Sequence, residues 1–154
     1  MPPKIRPIRD GVTFLSYVPS ARRALPLFTS RLKAGFPSPA DDYIEEKIDL
    51  NKYLVQHPAA TFLVRIQGDS MTGIGIFPND IVVVDRSLIT SDIKGMHNKV
   101  VLAVLDGEFT IKRLCVKGKS VTLLPENDKY DPIPISEGSD FTIWGVVNHT
   151  IRHL

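Results

Sequence analysis

A mainly β body behind a flexible N-terminal arm is the architecture this sequence predicts. Three observations predict it. From Thr61 onward the apolar residues fall into strand-length runs rich in β-branched and aromatic side chains. Asp106-Gly107 stands between two such runs as a hairpin turn. Before residue 40, prolines and a Gly35-Phe36-Pro37-Ser38-Pro39 break interrupt each stretch with helical spacing.

Residues 1–20 contain Pro2, Pro3, Pro7 and Pro19 and read as extended and poorly ordered. Ser20 to Ala34 has some helical spacing, which Pro26 interrupts. Asp41 or Asp42 is placed to cap a short helical turn over Tyr43 to Glu46. Ile48 to Leu54 forms a second short segment, closed by His57-Pro58. Thr61–Ile66 then reads as a strand. Ile81–Asp85 is a continuous apolar run, so a strand covered on both faces is expected. Val100–Leu105 and Glu108–Leu114 flank Asp106-Gly107, a type I′ signature because both turn positions need positive φ. Val121–Leu124 and Phe141–Val147 add two more strands. After residue 55 no amphipathic pattern reaches helix length. The expected division is therefore an arm, 1–40, and a β body, 41–154.

A chain of 154 residues buries roughly two-thirds of its unfolded surface, enough for a core without staples. One cysteine, Cys115, excludes an intramolecular disulfide and a cysteine-based zinc site. No metal or cofactor is expected. No apolar run approaches the ~20 residues that span a membrane, and the basic N-terminus lacks the apolar region of a signal peptide. A cytoplasmic protein is the expectation. Charge is uneven. Residues 1–34 carry seven cations (Lys4, Arg6, Arg9, Arg22, Arg23, Arg31, Lys33) against Asp10, a net +6, and the remainder carries −4. A basic arm on an acidic body fits nucleic-acid contact, or an arm lying on its own body. It has neither helix-turn-helix length nor interleaved aromatics, so sequence-specific DNA binding is not expected.

The residues that point to chemistry are Ser70, in Gly68-Asp69-Ser70-Met71, and Lys112, in the second hairpin strand. A serine becomes a nucleophile when a base takes its proton. Alternation puts Phe109, Ile111 and Arg113 on one face of that strand, and Thr110, Lys112 and Leu114 on the other. Of the two adjacent cations only lysine deprotonates in proteins, and it does so when burial disfavours its ammonium. Gly68 would let a substrate backbone come close, and backbone N–H groups around Ser70 would form an oxyanion hole. Asp69 points away from Ser70 on an extended chain. His57, His97, His149 and His153 lie in no triad context, and His57 and His153 read as surface residues. Cys115 reads as a small buried hydrophobe. On spacing alone, a serine after a strand and a lysine in a hairpin are equally ordinary structural residues.

Longer runs add more. AGFPSPADDYIEEKIDLNKYLVQHPAATFLVRIQGDSM, DGEFTIKRL and IWGVV together resemble the UmuD family and its wider LexA-like group of self-cleaving proteins, over about residues 27–150. The resemblance implies a LexA/signal-peptidase-like β fold with Ser70 as nucleophile and Lys112 as general base. It implies autocatalytic cleavage between Ala34 and Gly35. It further implies a homodimer, stimulation by a RecA–single-stranded-DNA filament in the SOS response, and service to a UmuC-like Y-family polymerase in translesion synthesis. The sequence departs from the family pattern at residues 1–20, at Phe77-Pro78-Asn79-Asp80 and over Ile93–Asn98. The arm is also shorter than the DNA-binding headpiece of LexA-like repressors, which favours the polymerase accessory. Two rivals stand beside it: a self-cleaving repressor- or antirepressor-like regulator without a polymerase, and a binding module in which Ser70 and Lys112 are structural.

Overall fold

A computed structural model describes residues 13–15, 24–28 and 44–154. The expected β architecture is present. Strands β1 (Thr13–Leu15), β4 (Thr61–Arg65), β5 (Ile81–Asp85), β6 (Val100–Leu105), β7 (Glu108–Lys117), β8 (Ser120–Leu124), β9 (Ile133–Pro134) and β10 (Phe141–Ile151) form one sheet. Its order is β1-β4-β5-β10-β6-β7-β8-β9, and each neighbouring pair is antiparallel. A separate two-stranded sheet pairs β2 (Ala24–Phe28) with β3 (Ile44–Asp49). The one α-helix among the described residues is α1 (Leu50–Leu54), capped by the Asp49 carboxylate accepting from the Asn51 N–H at 3.0 Å.

Three expectations about the first fifty residues are corrected. Ile44–Asp49 is a strand, although Asp41 and Asp42 were placed as helix caps. Its ladder comes from Ala24–Phe28, so a partner distant in sequence overrides local preference. Ala24–Phe28 is a strand despite Pro26, because a two-stranded sheet leaves each strand an outer edge where an N–H is not needed. Within residues 1–20, expected to be extended and poorly ordered, Thr13–Leu15 pairs with β4. Contacts divide the chain into Met1–Tyr17 with His57–Leu154, and Val18–Gln56. The expected arm, 1–40, and body, 41–154, are a functional division, and β2 and β3 fall on either side of it.

The β6–β7 hairpin follows the sequence closely. Asp106 and Gly107 hold φ values of 50° and 86°, the double positive φ that a type I′ turn demands. Alternation along β6 sends Leu102 into one apolar cluster, with Val64, Met71, Val82, Val84 and Ile111. It sends Val101 and Ala103 into a second, with Met96, Leu114, Leu123 and Val146. Each large apolar side chain buried this way contributes about 1.5–3 kcal/mol. Val82, Val83 and Val84 are all fully buried, as the continuous apolar run predicted.

Strand β10 joins two halves of the sheet. It pairs with β5 through Val146–Ile151 and with β6 through Phe141–Val146, with register shifts between Ile143 and Gly145 and between Val147 and His149. Beyond it, Arg152 donates through Nε and Nη2 to the two oxygens of the buried Asp80 carboxylate, at 2.7 and 2.6 Å. This bidentate pair ties the end of the chain to the Phe77–Asp80 turn. That hydrogen bond, more than any other influence, holds Asp80 below the usual carboxylate range, against the desolvation that would raise it.

Candidate active site

β4 ends at Arg65, and the chain turns through Gln67, Gly68 and Asp69 to Ser70. Met71, 3% exposed, anchors the far side of the turn in the first apolar cluster. Lys112 sits in the middle of β7, opposite Val101 of β6. The two residues are 42 apart in sequence, and Lys112 Nζ lies 2.8 Å from Ser70 Oγ. Both line a cleft of about 310 Å³, with Arg65, Gly68, Met71 and Phe109 among its walls.

Lys112 is 8% exposed, and burial pushes its amine below the ordinary lysine value. Among the described residues no carboxylate pairs with it. Its other partners are Thr110 Oγ1 and the Ile111 carbonyl, each at 3.0 Å. An ammonium donates to all three. A neutral amine has two N–H donors and one lone pair. Thr110 and Ile111 accept the two donors, which leaves the lone pair for the Ser70 O–H. The surroundings therefore satisfy the form of lysine that acts as a base. Arg113 is held away by the Glu126 carboxylate and by the Asn98 carbonyl, at 2.6 Å from the latter.

A loop after β8 supports the serine turn, and sequence reading did not find it. Glu126 N–H donates to the Ser70 carbonyl at 2.8 Å, and Gly73 N–H donates to the Glu126 carbonyl at 2.6 Å. Gly73 has to lack a side chain, because a Cβ there would sit 2.5 Å from that carbonyl oxygen. Asn127 Nδ2 donates to the Asp69 carbonyl at 2.8 Å and to Thr72 Oγ1 at 3.3 Å. The Tyr130 hydroxyl donates to the Asp69 carboxylate, and that bond raises the tyrosine pKa. Asp69 is thus directed to Tyr130 and away from the amine. The available signal was Pro125-Glu126-Asn127 directly after a strand, which carries no mark of its distant partner.

The histidines stand elsewhere. His57 Nδ1 meets Asp85 Oδ2 at 2.6 Å, and Ser87 donates to the other Asp85 oxygen through its N–H and its hydroxyl, at 2.8 and 2.6 Å. The expectation of a plain surface His57 is corrected, since it is half-exposed but partnered with a buried carboxylate. Desolvation pushes Asp85 upward, and the bonds from Ser87 and His57 outweigh it, so its pKa is lowered. The serine of this trio bonds the carboxylate and not the imidazole, so it is not activated as in a triad. His97 Nδ1 accepts from the Val116 N–H at 3.0 Å, His149 contacts Asn148, and His153 is exposed. Cys115 is half-buried in β7, more open than expected. Ala34 and Gly35 lie outside the described residues. Among those residues no three His, Cys, Asp or Glu side chains group as a metal would need, and no helix is long and apolar enough to cross a membrane.

A family profile, Peptidase S24-like, matches residues 26–148. The chain belongs to the Peptidase S24-like family. Protein SamA of Salmonella typhimurium strain LT2 is 48% identical over 127 residues, covering 82% of this chain and 84% of SamA. Protein ImpA of Escherichia coli is 41% identical over 138 residues, 82% and 83% of the two chains. Protein MucA of Escherichia coli is 38% identical over 129 residues, 83% and 84%. The UmuD-type resemblance read from the sequence stands with this S24-like membership, which makes the chain a peptidase of the serine type.

Proposed function

We propose that this S24-like chain cuts itself once, at Ala34-Gly35, with Ser70 as nucleophile and Lys112 as general base. The observation that carries the reading is Lys112 Nζ at 2.8 Å from Ser70 Oγ, in a buried setting that lowers its pKa. Neutral Lys112 takes the Ser70 proton as Oγ attacks the Ala34 carbonyl. The oxyanion is met by backbone N–H groups at Ser70 and Met71, for which no acceptor is found among the described residues. The C–N bond to Gly35 breaks, and protonated Lys112 gives its proton to the leaving amine. Water, deprotonated by the same amine, then hydrolyses the Ala34 ester and restores Ser70. The functional division is between an arm, 1–40, that carries the substrate and a body, 41–154, that carries the catalyst.

The biological setting rests on the UmuD-type resemblance. A homodimer in the cytoplasm meets a RecA–single-stranded-DNA filament after DNA damage, is cut, and serves a UmuC-like Y-family polymerase in translesion synthesis. Residues 35–154 without the arm carry −4 where the whole chain carries +2, so departure of residues 1–34 alters the partners the body attracts. The test is mass spectrometry of the chain incubated with RecA, single-stranded DNA and nucleotide. A new Gly35 terminus is expected from the wild type, and an intact chain from Ser70→Ala and from Lys112→Ala. Cleavage by Lys112→Ala at the same bond would remove lysine as the base. Recovery of a Y-family polymerase with residues 35–154, and not with Ser70→Ala, is the result expected of an accessory subunit. Cleavage without that recovery would favour a self-cleaving regulator.

A further inference from the structure

We infer that scission of the link between β2 and β3 nicks this protein without freeing its N-terminal piece, which stays bound as a two-strand ligand. The inference rests on the proposed cleavage for the bond that is cut. The strand arrangement makes it hold for any bond in residues 29–43.

The two strands that precede the link are β1 and β2. Each pairs with a strand that follows the link. Thr13, Phe14 and Leu15 oppose Arg65, Val64 and Leu63 of β4. Ala24 to Phe28 oppose Asp49 to Ile44 of β3, in five register pairs. β1 and β2 do not pair with each other. Hydrolysis at residue 34 therefore breaks one covalent bond and interrupts neither of the two described ladders. Both ladders of the departing piece survive.

Two attachments are stronger than either alone. Residues 16–23 connect β1 to β2 within the piece, so when one strand frays the other keeps it close and re-pairing is intramolecular. The piece also covers something. β1 is the edge strand of the large sheet, and β4 is its neighbour. Loss of β1 would leave the outer edge of Leu63–Arg65 with unpaired N–H and C=O groups, and loss of β2 would do the same for Ile44–Asp49. Such edges take an extended segment by strand addition. The occupant of both is residues 1–34, and a partner's extended segment has to displace it. Scission and unmasking are then separate steps, the first chemical and the second a competition between strands.

Pro26 supplies a variant that weakens this hold. Proline has no N–H, and donors toward a partner alternate along an antiparallel strand. In β2 the donors toward β3 therefore come from Leu25 and Leu27, to either side of Pro26. The Leu25 side chain is 52% exposed, so Leu25→Pro removes a donor with little loss of packing.

The experiment begins with protein cut to completion, shown by denaturing mass spectrometry to consist of 1–34 and 35–154. Size-exclusion chromatography without denaturant should elute the two pieces together, and hydrogen exchange should keep Leu63–Arg65 and Ile44–Asp49 protected. Elution of 1–34 alone in the small-peptide volume, or exchange of those segments at the rate of open edges, overturns the inference. If no cut occurs, the proposed function has failed and the inference is tested separately. A recognition site for an added protease is then placed between residues 34 and 35 of the Ser70→Ala chain, and co-elution after that cut is read in the same way. In that same nicked chain, Leu25→Pro should weaken retention about tenfold, one lost ladder bond. Unchanged retention would overturn the assignment of β2 as an anchor.

Discussion

Lys112 carries its proton or gives it up according to its surroundings, and those surroundings favour giving it up. Burial lowers its pKa, and no carboxylate among the described residues restores the charge. The neutral fraction grows as pH rises through that lowered value. Unassisted cleavage should therefore accelerate with pH above neutrality and level off once the amine is neutral, as read by gel densitometry from pH 6 to 10. A flat profile would remove lysine as the base. The meeting of Ser70 and Lys112 was legible because few side chains have the chemistry, and strand alternation separates Lys112 from Arg113. The role of Asp85 was not legible. Its partner His57 is 28 residues away, and nothing local marks His57 as the residue that meets a buried acid.

At the level of elements, the loop after β8 decides how firmly Ser70 is held. Asn127 joins Asp69 and Thr72 across the turn. Asn127→Ala should slow cleavage by about one to two orders of magnitude, the scale set by misplacing a reacting atom by an ångström. It should cost only about 1 kcal/mol of stability, the worth of a lost hydrogen bond. The pH profile should keep its shape, since Asn127 does not touch the amine. A proportional loss of rate and of folded protein would assign it a structural role alone. The β6–β7 turn offers a cleaner case. Gly107 holds a φ of 86°, so Gly107→Val should destabilise by about 1–2 kcal/mol in urea titration. That hairpin was readable because its information is local, two residues between two runs. The β2–β3 pair was unreadable for the opposite reason. Ile44-Glu45-Glu46 follows two aspartates and looks like a helix start, and only the non-local ladder makes it a strand.

Across the whole molecule, the Asp80–Arg152 pair fastens the chain end to the sheet. The folded pKa of Asp80 is lowered, chiefly by the hydrogen bond from Arg152. Its stabilising contribution is then fully present above the unfolded value and disappears as pH falls through the lower folded value. Thermal melts of the Ser70→Ala chain should show stability falling on acidification over that interval. Asp80→Asn in the same background should flatten that limb, and an unchanged acid limb would assign it to other carboxylates. The amide neighbours of Asp80 gave no hint of this pairing, because 72 residues separate the carboxylate from its guanidinium.

The placement of β10 also orders events in time. Ser70 follows a strand on the β1-β4-β5 side of the sheet and Lys112 lies on the β6-β7-β8-β9 side, and among the described strands β10 alone joins the two sides in the hydrogen-bonded order. It is the last strand along the chain. During synthesis residues 1–40 emerge first, Ser70 next and Lys112 later, and the two halves become one sheet only after Phe141–Ile151 has been made. Under the proposed function, a chain still being translated thus carries the Ala34-Gly35 bond, Ser70 and Lys112 before the sheet that holds the two side chains together is complete.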